Sequence, residues 1–197
     1  TGWGQDGPQS PYAGHDLTYT ATSGILSSFV RDPHDGSMPR PVLPGPYLGD
    51  VAGGALLLVA GLLAALHSAA ATGTGQVIDA AIMDGASYLS TFTHALRLGG
   101  MWGGTPGNNI LDTGAPFYEV YECADGRHLA VGALEPQFYD ELLSLLTEHA
   151  GLDLGPDDPR HRLNRLDQRR WPEAKALWED FFRTRTRDEW CAFLERS

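Results

Sequence analysis

The chain has 197 residues, 42% of them hydrophobic, enough for one large domain or two small ones with a sizeable core. Its formal charge of −11 is concentrated in residues 1–150, which hold four Arg against fifteen acidic groups. That surface offers no Lys/Arg cluster to neutralise phosphates, which excludes a nucleic-acid partner.

Residues 1–12 read as a Gly/Pro-rich loop. The chain opens without Met, in mid-motif at Thr1-Gly2-Trp3-Gly4, and is taken for a piece of a longer protein. A helix is expected from Asp16 to about Ser28, with His15 at its mouth. Residues 31–46 are too rich in Pro for regular structure. Val51–Ala71 follows as 21 residues with only His67 and Ser68 polar. It has the length to cross a bilayer. It is heavy in Ala and Gly, however, and lacks flanking Lys/Arg and an aromatic belt. The Gly73-Thr74-Gly75 stop and a strand-like run from Gln76 to Ile82 come next. That order predicts a helix buried in an α/β domain rather than a membrane span.

A second helix is expected from about Asp84 to Leu98. The Gly-rich stretch 99–107 (GGMWGGTPG) begins a connector. Residues 1–98 thus form one domain, 99–112 a linker and 113–197 a second domain. Ala115–Cys123 and Arg127–Ala133 alternate as strands around Asp125-Gly126, which predicts a hairpin. Glu135-Pro136 starts a helix with a leucine face at Leu142, Leu143, Leu145 and Leu146. A polar loop covers 151–171. Two short helices end the chain. The first carries Leu177, Trp178, Phe181 and Phe182. The second opens on a Thr186-x-x-Glu189 capping box.

The two cysteines, Cys123 and Cys191, form no framework and no metal-ligand spacing. With no visible leader, they point to a reducing, cytoplasmic setting. No HExxH or Cys/His pattern marks a zinc site. The glycine-rich stretches match neither a P-loop nor a dinucleotide fingerprint.

Two features carry chemistry. Gly14-His15-Asp16 places an imidazole at a helix start, where Gly14 permits close ligand approach and the Asp16 backbone N–H can stabilise an oxyanion. Gly49-Asp50-x-x-Gly53-Gly54 places a carboxylate where the helix begins, with small residues clearing space for a ligand. Asp50 there reads either as an N-cap or as a base or nucleophile held ionised by the helix dipole. Glu135 reads either as a cap or as a partner that orients His15. An imidazole and a carboxylate are the pair needed to move a proton between the two faces of one carbon. A non-enzymatic interaction module remains open on these residues alone.

The run Gly2-Trp3-Gly4-Gln5-Asp6-Gly7-Pro8, with Tyr12 to Asp16, Gly49-Asp50, Gly75 to Ala81 and Leu111 to Tyr139, resembles the family III CoA-transferase superfamily. Within it the match is to the α-methylacyl-CoA racemase branch. The resemblance implies a partial Rossmann-like large domain, a small α+β domain and an interlocked homodimer. It implies epimerisation of 2-methylacyl-CoA thioesters, with coenzyme A entering as part of the substrate and no other cofactor or metal. His15 and Asp50 match the two catalytic bases, Glu135 the partner of the His, and the Asp16 amide the donor to the thioester oxygen. Asn109, Leu111 and Tyr118 match positions near the acyl group. In one departure, the stretch before Asp50 reads Pro44-Gly45-Pro46-Tyr47-Leu48, where racemases often carry an Asn. Transfer of CoA between carboxylic acids through an Asp50-linked intermediate is the alternative within the superfamily.

Overall fold

A computed structural model describes residues 1–31 and 40–195. The chain divides into two compact units, Thr1–Gly107 and Asn108–Ser197. The division lies inside the 99–112 stretch.

In the first unit, α1 (Asp16–Ser23) ends on Gly24, whose φ of 84° stops the helix; a single 3₁₀ turn, Ile25–Ser28, continues it. The single helix expected to Ser28 is therefore broken at the one residue that adopts this left-handed turn without strain. Val30–Arg31 (β1) pairs antiparallel with Arg40–Pro41 (β2), so the Pro-rich stretch is not wholly irregular. Residues 32–39 lie outside the described residues.

Tyr47 then begins a long helix. Its first ten residues, Tyr47–Leu56, are wound with the wide π spacing, and α2 (Leu57–Thr72) continues as an ordinary α-helix. Gly73, at φ 71°, stops it. The helix was expected to be buried, but α2 holds no buried residue. Leu58, Val59, Leu62, Leu63 and Leu66 are each at least 40% exposed. Among the described residues α3 (Ile82–Leu89) packs on the π-wound turns, where Gly53 lies against Gly85, and Ile78 approaches α2 at Gly61. The 26 residues Tyr47–Thr72 are long and apolar enough to cross a membrane by length and composition.

The strand expected near 76–82 does not form. A strand needs a ladder partner, and among the described residues its backbone bonds only with Thr1 and Gly2, while Gln5 reaches just the Asp79 side chain. Thr1 donates to the Ala80 carbonyl, and the Ile82 and Met83 amides donate to the Thr1 and Gly2 carbonyls. Val77 is left 91% exposed. After α3, Ser90 interrupts the expected second helix, which resumes as α4 (Thr91–Leu98). A Cβ at Gly85 would fall on the Gly53 backbone. Gly85→Ala should therefore force the two helices apart and destabilise this unit by about 1–3 kcal/mol, read as a lowered thermal midpoint.

The second unit is built around the expected hairpin. Strand β3 (Tyr118–Glu122) pairs antiparallel with β4 (His128–Gly132), and Tyr118 faces Gly132. Gly126 takes the turn at φ 72°. Helix α5 (Pro136–Ala150) begins with Pro at its first turn and stops at Gly151. Helices α6 (Trp171–Phe182) and α7 (Arg187–Leu194) close the unit. The Thr186–Glu189 capping box opens α7 as expected: the Thr186 amide donates to Glu189 Oε2 at 2.8 Å. The core joins Phe117, Tyr121, Tyr139, Trp171, Trp178, Phe182 and Trp190. Burial holds the Tyr121 and Tyr139 phenols well above their ordinary pKa, so both stay neutral. They donate at 2.6 Å to the carbonyls of Pro116 and Arg160, respectively.

Two arginines are built into this core. Arg160 Nε and Nη2 donate to the two Asp158 oxygens at 3.0 and 2.9 Å, while its guanidinium lies 5.1 Å from the Trp178 ring. Burial pushes the Asp158 carboxyl up, but the Arg160 hydrogen bonds and charge outweigh it and hold it below the usual carboxylate range. The folded pKa is thus lower than the unfolded one. The pair stabilises the fold above about pH 4, and that contribution is lost as pH falls through the folded value. The thermal midpoint of this unit should decline below about pH 4, and Asp158→Asn should flatten part of the decline. Arg165 is only 7% exposed, and among the described residues no carboxylate pairs with it. It sits 5.1 Å from the Phe117 ring and 5.4 Å from Tyr139, and its Nη1 donates to the Leu134 carbonyl at 2.9 Å.

Candidate active site

His15 occupies the N-cap of α1 in an extended conformation. Its carbonyl accepts from the Thr18 and Tyr19 amides at 2.8 and 3.2 Å, its own N–H donates to Thr18 Oγ1 at 3.4 Å, and its side chain reaches solvent. The helix start is braced from below by Tyr19, which meets Trp3 edge-on at 4.7 Å. A Cβ on Gly14 would come within 2.7 Å of the Tyr19 ring, so the glycine here makes room for the protein's own aromatic core. As first residue of α1, Asp16 has a backbone N–H with no acceptor inside the helix. That leaves the amide free to meet an anion.

The helix after Pro46 starts earlier than the sequence suggested, so Asp50 is not its N-cap. It sits in the first turn, three residues inside the Tyr47 start. The π winding explains how that amide is used. The Val51 amide reaches back five residues to the Pro46 carbonyl at 3.2 Å. The N–H groups before Val51 are then left without helical acceptors. The Asp50 N–H finds its partner 34 residues away, donating to Asp16 Oδ2 at 2.8 Å. The Asp16 carboxylate is 5% exposed, and Gly49 lies flat against it: a Cβ there would fall 2.5 Å from Oδ2. One side chain thereby ties the turn carrying Asp50 to the helix that starts at His15.

The Asp50 side chain is exposed and borders an open recess of about 340 Å³, formed with Thr1, Gly54, Ala55, Leu58, Ala80 and Ile82. Except for Asp50 and Thr1 this lining is apolar. Of the glycines expected to clear space for a ligand, Gly49 and Gly53 instead admit Asp16 and Gly85, and only Gly54 lines the recess. The recess was not foreseen, because Ala80 and Ile82 lie far from Asp50 in sequence. The one signal in the chain was the run of small residues after Asp50.

The remaining candidates lie in the second unit. Glu135 is the N-cap of α5, but its side chain makes no capping hydrogen bond, so the bland role does not use the carboxylate. Asn109 is buried and binds Asp112 twice, amide N–H to Oδ1 at 2.6 Å and Nδ2 to Oδ2 at 2.7 Å. Its side chain shapes the turn before the hairpin. Leu111 is half-buried in that turn, and Tyr118 is 37% exposed at the start of β3. Among the described residues no three His, Cys, Asp or Glu gather as metal ligands. Both cysteines are free, and burial pushes the Cys123 thiol up.

An α-methylacyl-CoA racemase from Homo sapiens is 40% identical over 195 residues, which cover 99% of this chain and 47% of that protein. A cinnamoyl-CoA:phenyllactate CoA-transferase from Clostridium sporogenes is 30% identical over 193 residues, covering 96% and 44%. The crystal structure of a CAIB/BAIF family protein from Brucella suis shares the fold, with a TM-score of 0.70 at 22% identity, over 100% of this chain and 49% of that one. The chain spans about half the length of the curated relatives it matches. The family model for CoA-transferase family III matches residues 1–197, and the chain belongs to that family.

Proposed function

We propose that the protein of which this chain forms part epimerises 2-methylacyl-CoA thioesters by a two-base 1,1-proton transfer. The thioester carbonyl acidifies the α-carbon, because the negative charge left on deprotonation spreads onto the carbonyl oxygen. His15 removes the α-proton from one face, and protonated Asp50 returns a proton to the other; the reverse reaction exchanges the roles. The enolate oxygen formed between them accepts from the Asp16 amide. The largely apolar recess beside Asp50 receives the acyl chain, and Gly14 permits its close approach; Glu135, Asn109, Leu111 and Tyr118 keep the roles that the resemblance implies for them. Coenzyme A is part of the substrate, and the chemistry calls for no other cofactor and no metal. The working unit is an interlocked cytoplasmic homodimer acting in fatty-acid metabolism, without nucleic acid or membrane.

The observation that carries this reading is the hydrogen bond that ties the turn of Asp50 to the helix start of His15, beside an apolar recess. The 40% identity to a racemase supports it against CoA transfer. The test is a single epimer of a 2-methylacyl-CoA in D₂O with the full-length protein, followed by NMR at the α-proton. Deuterium uptake with loss of chirality, and no acceptor acid present, is expected. CoA transfer to an added acid without α-exchange would make Asp50 a nucleophile instead.

A further inference from the structure

Asp16 has a side chain that the reaction above does not use, and it is the most unusual polar group in the first unit. It is 95% hidden from solvent by its 5% exposure. One oxygen, Oδ2, accepts from the Asp50 amide, and the other, Oδ1, is buried with no partner among the described residues. A carboxylate held that way serves little as a general stabiliser, since a buried oxygen without a donor opposes folding. Pro46, at the N-cap of the helix carrying Asp50, makes no side-chain capping bond. The cap comes instead from Asp16, across 34 residues of sequence. The contact is close because residue 49 has no side chain.

We infer that the Asp16 carboxylate is a positioning residue, which sets the placement of Asp50 relative to His15 by holding the Asp50 amide. The inference rests on the two-base reading above. It separates two functions in one residue: the Asp16 amide faces the reacting oxygen, and the Asp16 side chain faces away and fixes the second base. A base displaced by about 1 Å loses on the order of 10²-fold in rate.

The loss should be one-sided, which a merely structural role would not produce. In full-length Asp16→Ala, the epimer deprotonated by His15 should still take up deuterium, now with its configuration retained, because His15 returns the proton to the face it came from. The epimer deprotonated by Asp50 should exchange about 10²-fold more slowly. Asp16→Asn, which keeps an acceptor oxygen, should recover most of this, and Gly49→Ala, which pushes a methyl into the carboxylate, should reproduce it. In parallel, the Asp50 amide should lose hydrogen-exchange protection in Asp16→Ala and regain it in Asp16→Asn. Equal slowing of both epimers, or Asp50 protection unchanged by Asp16→Ala, would overturn the positioning role alone. A wild-type protein that exchanges neither epimer would sink the two-base reading, and this role with it.

Discussion

His15→Ala and Asp50→Ala, each made in the full-length protein, are expected to lower racemisation by about 10²–10⁴-fold, the usual contribution of a single acid–base group. The pair of variants is more informative than either alone. Loss of one base stops inversion but leaves the other able to exchange the proton on its own face. His15→Ala should therefore leave slow exchange with retention in one epimer, and Asp50→Ala the same in the other. Thermal midpoints should barely move, because both side chains are exposed and neither packs in a core. Near-normal racemisation in both variants would remove these residues from the chemistry. A covalent CoA adduct trapped on Asp50 would point to transfer in their place.

Trp190→Ala should be the most damaging single change to the second unit. The ring is completely buried, lies tilted 5.4 Å from Phe181, meets Phe182 edge-on at 5.3 Å, and donates its Nε1 proton to the Phe182 carbonyl at 2.8 Å. Truncating a buried Trp costs about 3–5 kcal/mol, against a typical domain stability of about 5–15 kcal/mol. For a unit of this size that lowers the midpoint by more than about 12 °C. Trp190→Phe keeps most of the packing and loses only the N–H, so its shift should be clearly smaller. A shift of only a few degrees in the Ala variant would mean that the unit repacks around the gap.

The second unit was the more legible half. Its hairpin, the Pro at the first turn of α5 and the capping box of α7 are local signals, each decided within a few residues. The first unit was misread wherever the outcome depended on distant partners. Gln76–Ile82 has strand chemistry, but among the described residues its backbone bonds only with Thr1 and Gly2. The apolar run after Asp50 has the composition of a core helix, yet the described residues of this unit leave no residue of α2 buried. In the candidate site, the residue types at His15, Asp16 and Asp50 were visible, and so was the helix start at Asp16. The bond between the Asp16 carboxylate and the Asp50 amide was not, because no periodicity encodes a side chain reaching a backbone 34 residues on. The same contact explains why Gly49 and Gly53, taken as room for a ligand, are filled from within the chain.

Arg165 has a consequence for how the second unit tolerates change. Its buried charge is balanced by two aromatic faces, and among the described residues its side chain donates to the carbonyl of Leu134, the residue before Glu135. The approach to Glu135 is thus held by electron density on rings, not by an opposite charge. A leucine or methionine at position 117 would fill the same volume and satisfy the hydrophobic core. It would also strip the cation of half its counterweight and slacken the tether behind Glu135. At that position, substitutions that protein cores ordinarily accept as equivalent are not interchangeable. What Arg165 meets there is the quadrupole of the side chain rather than its bulk.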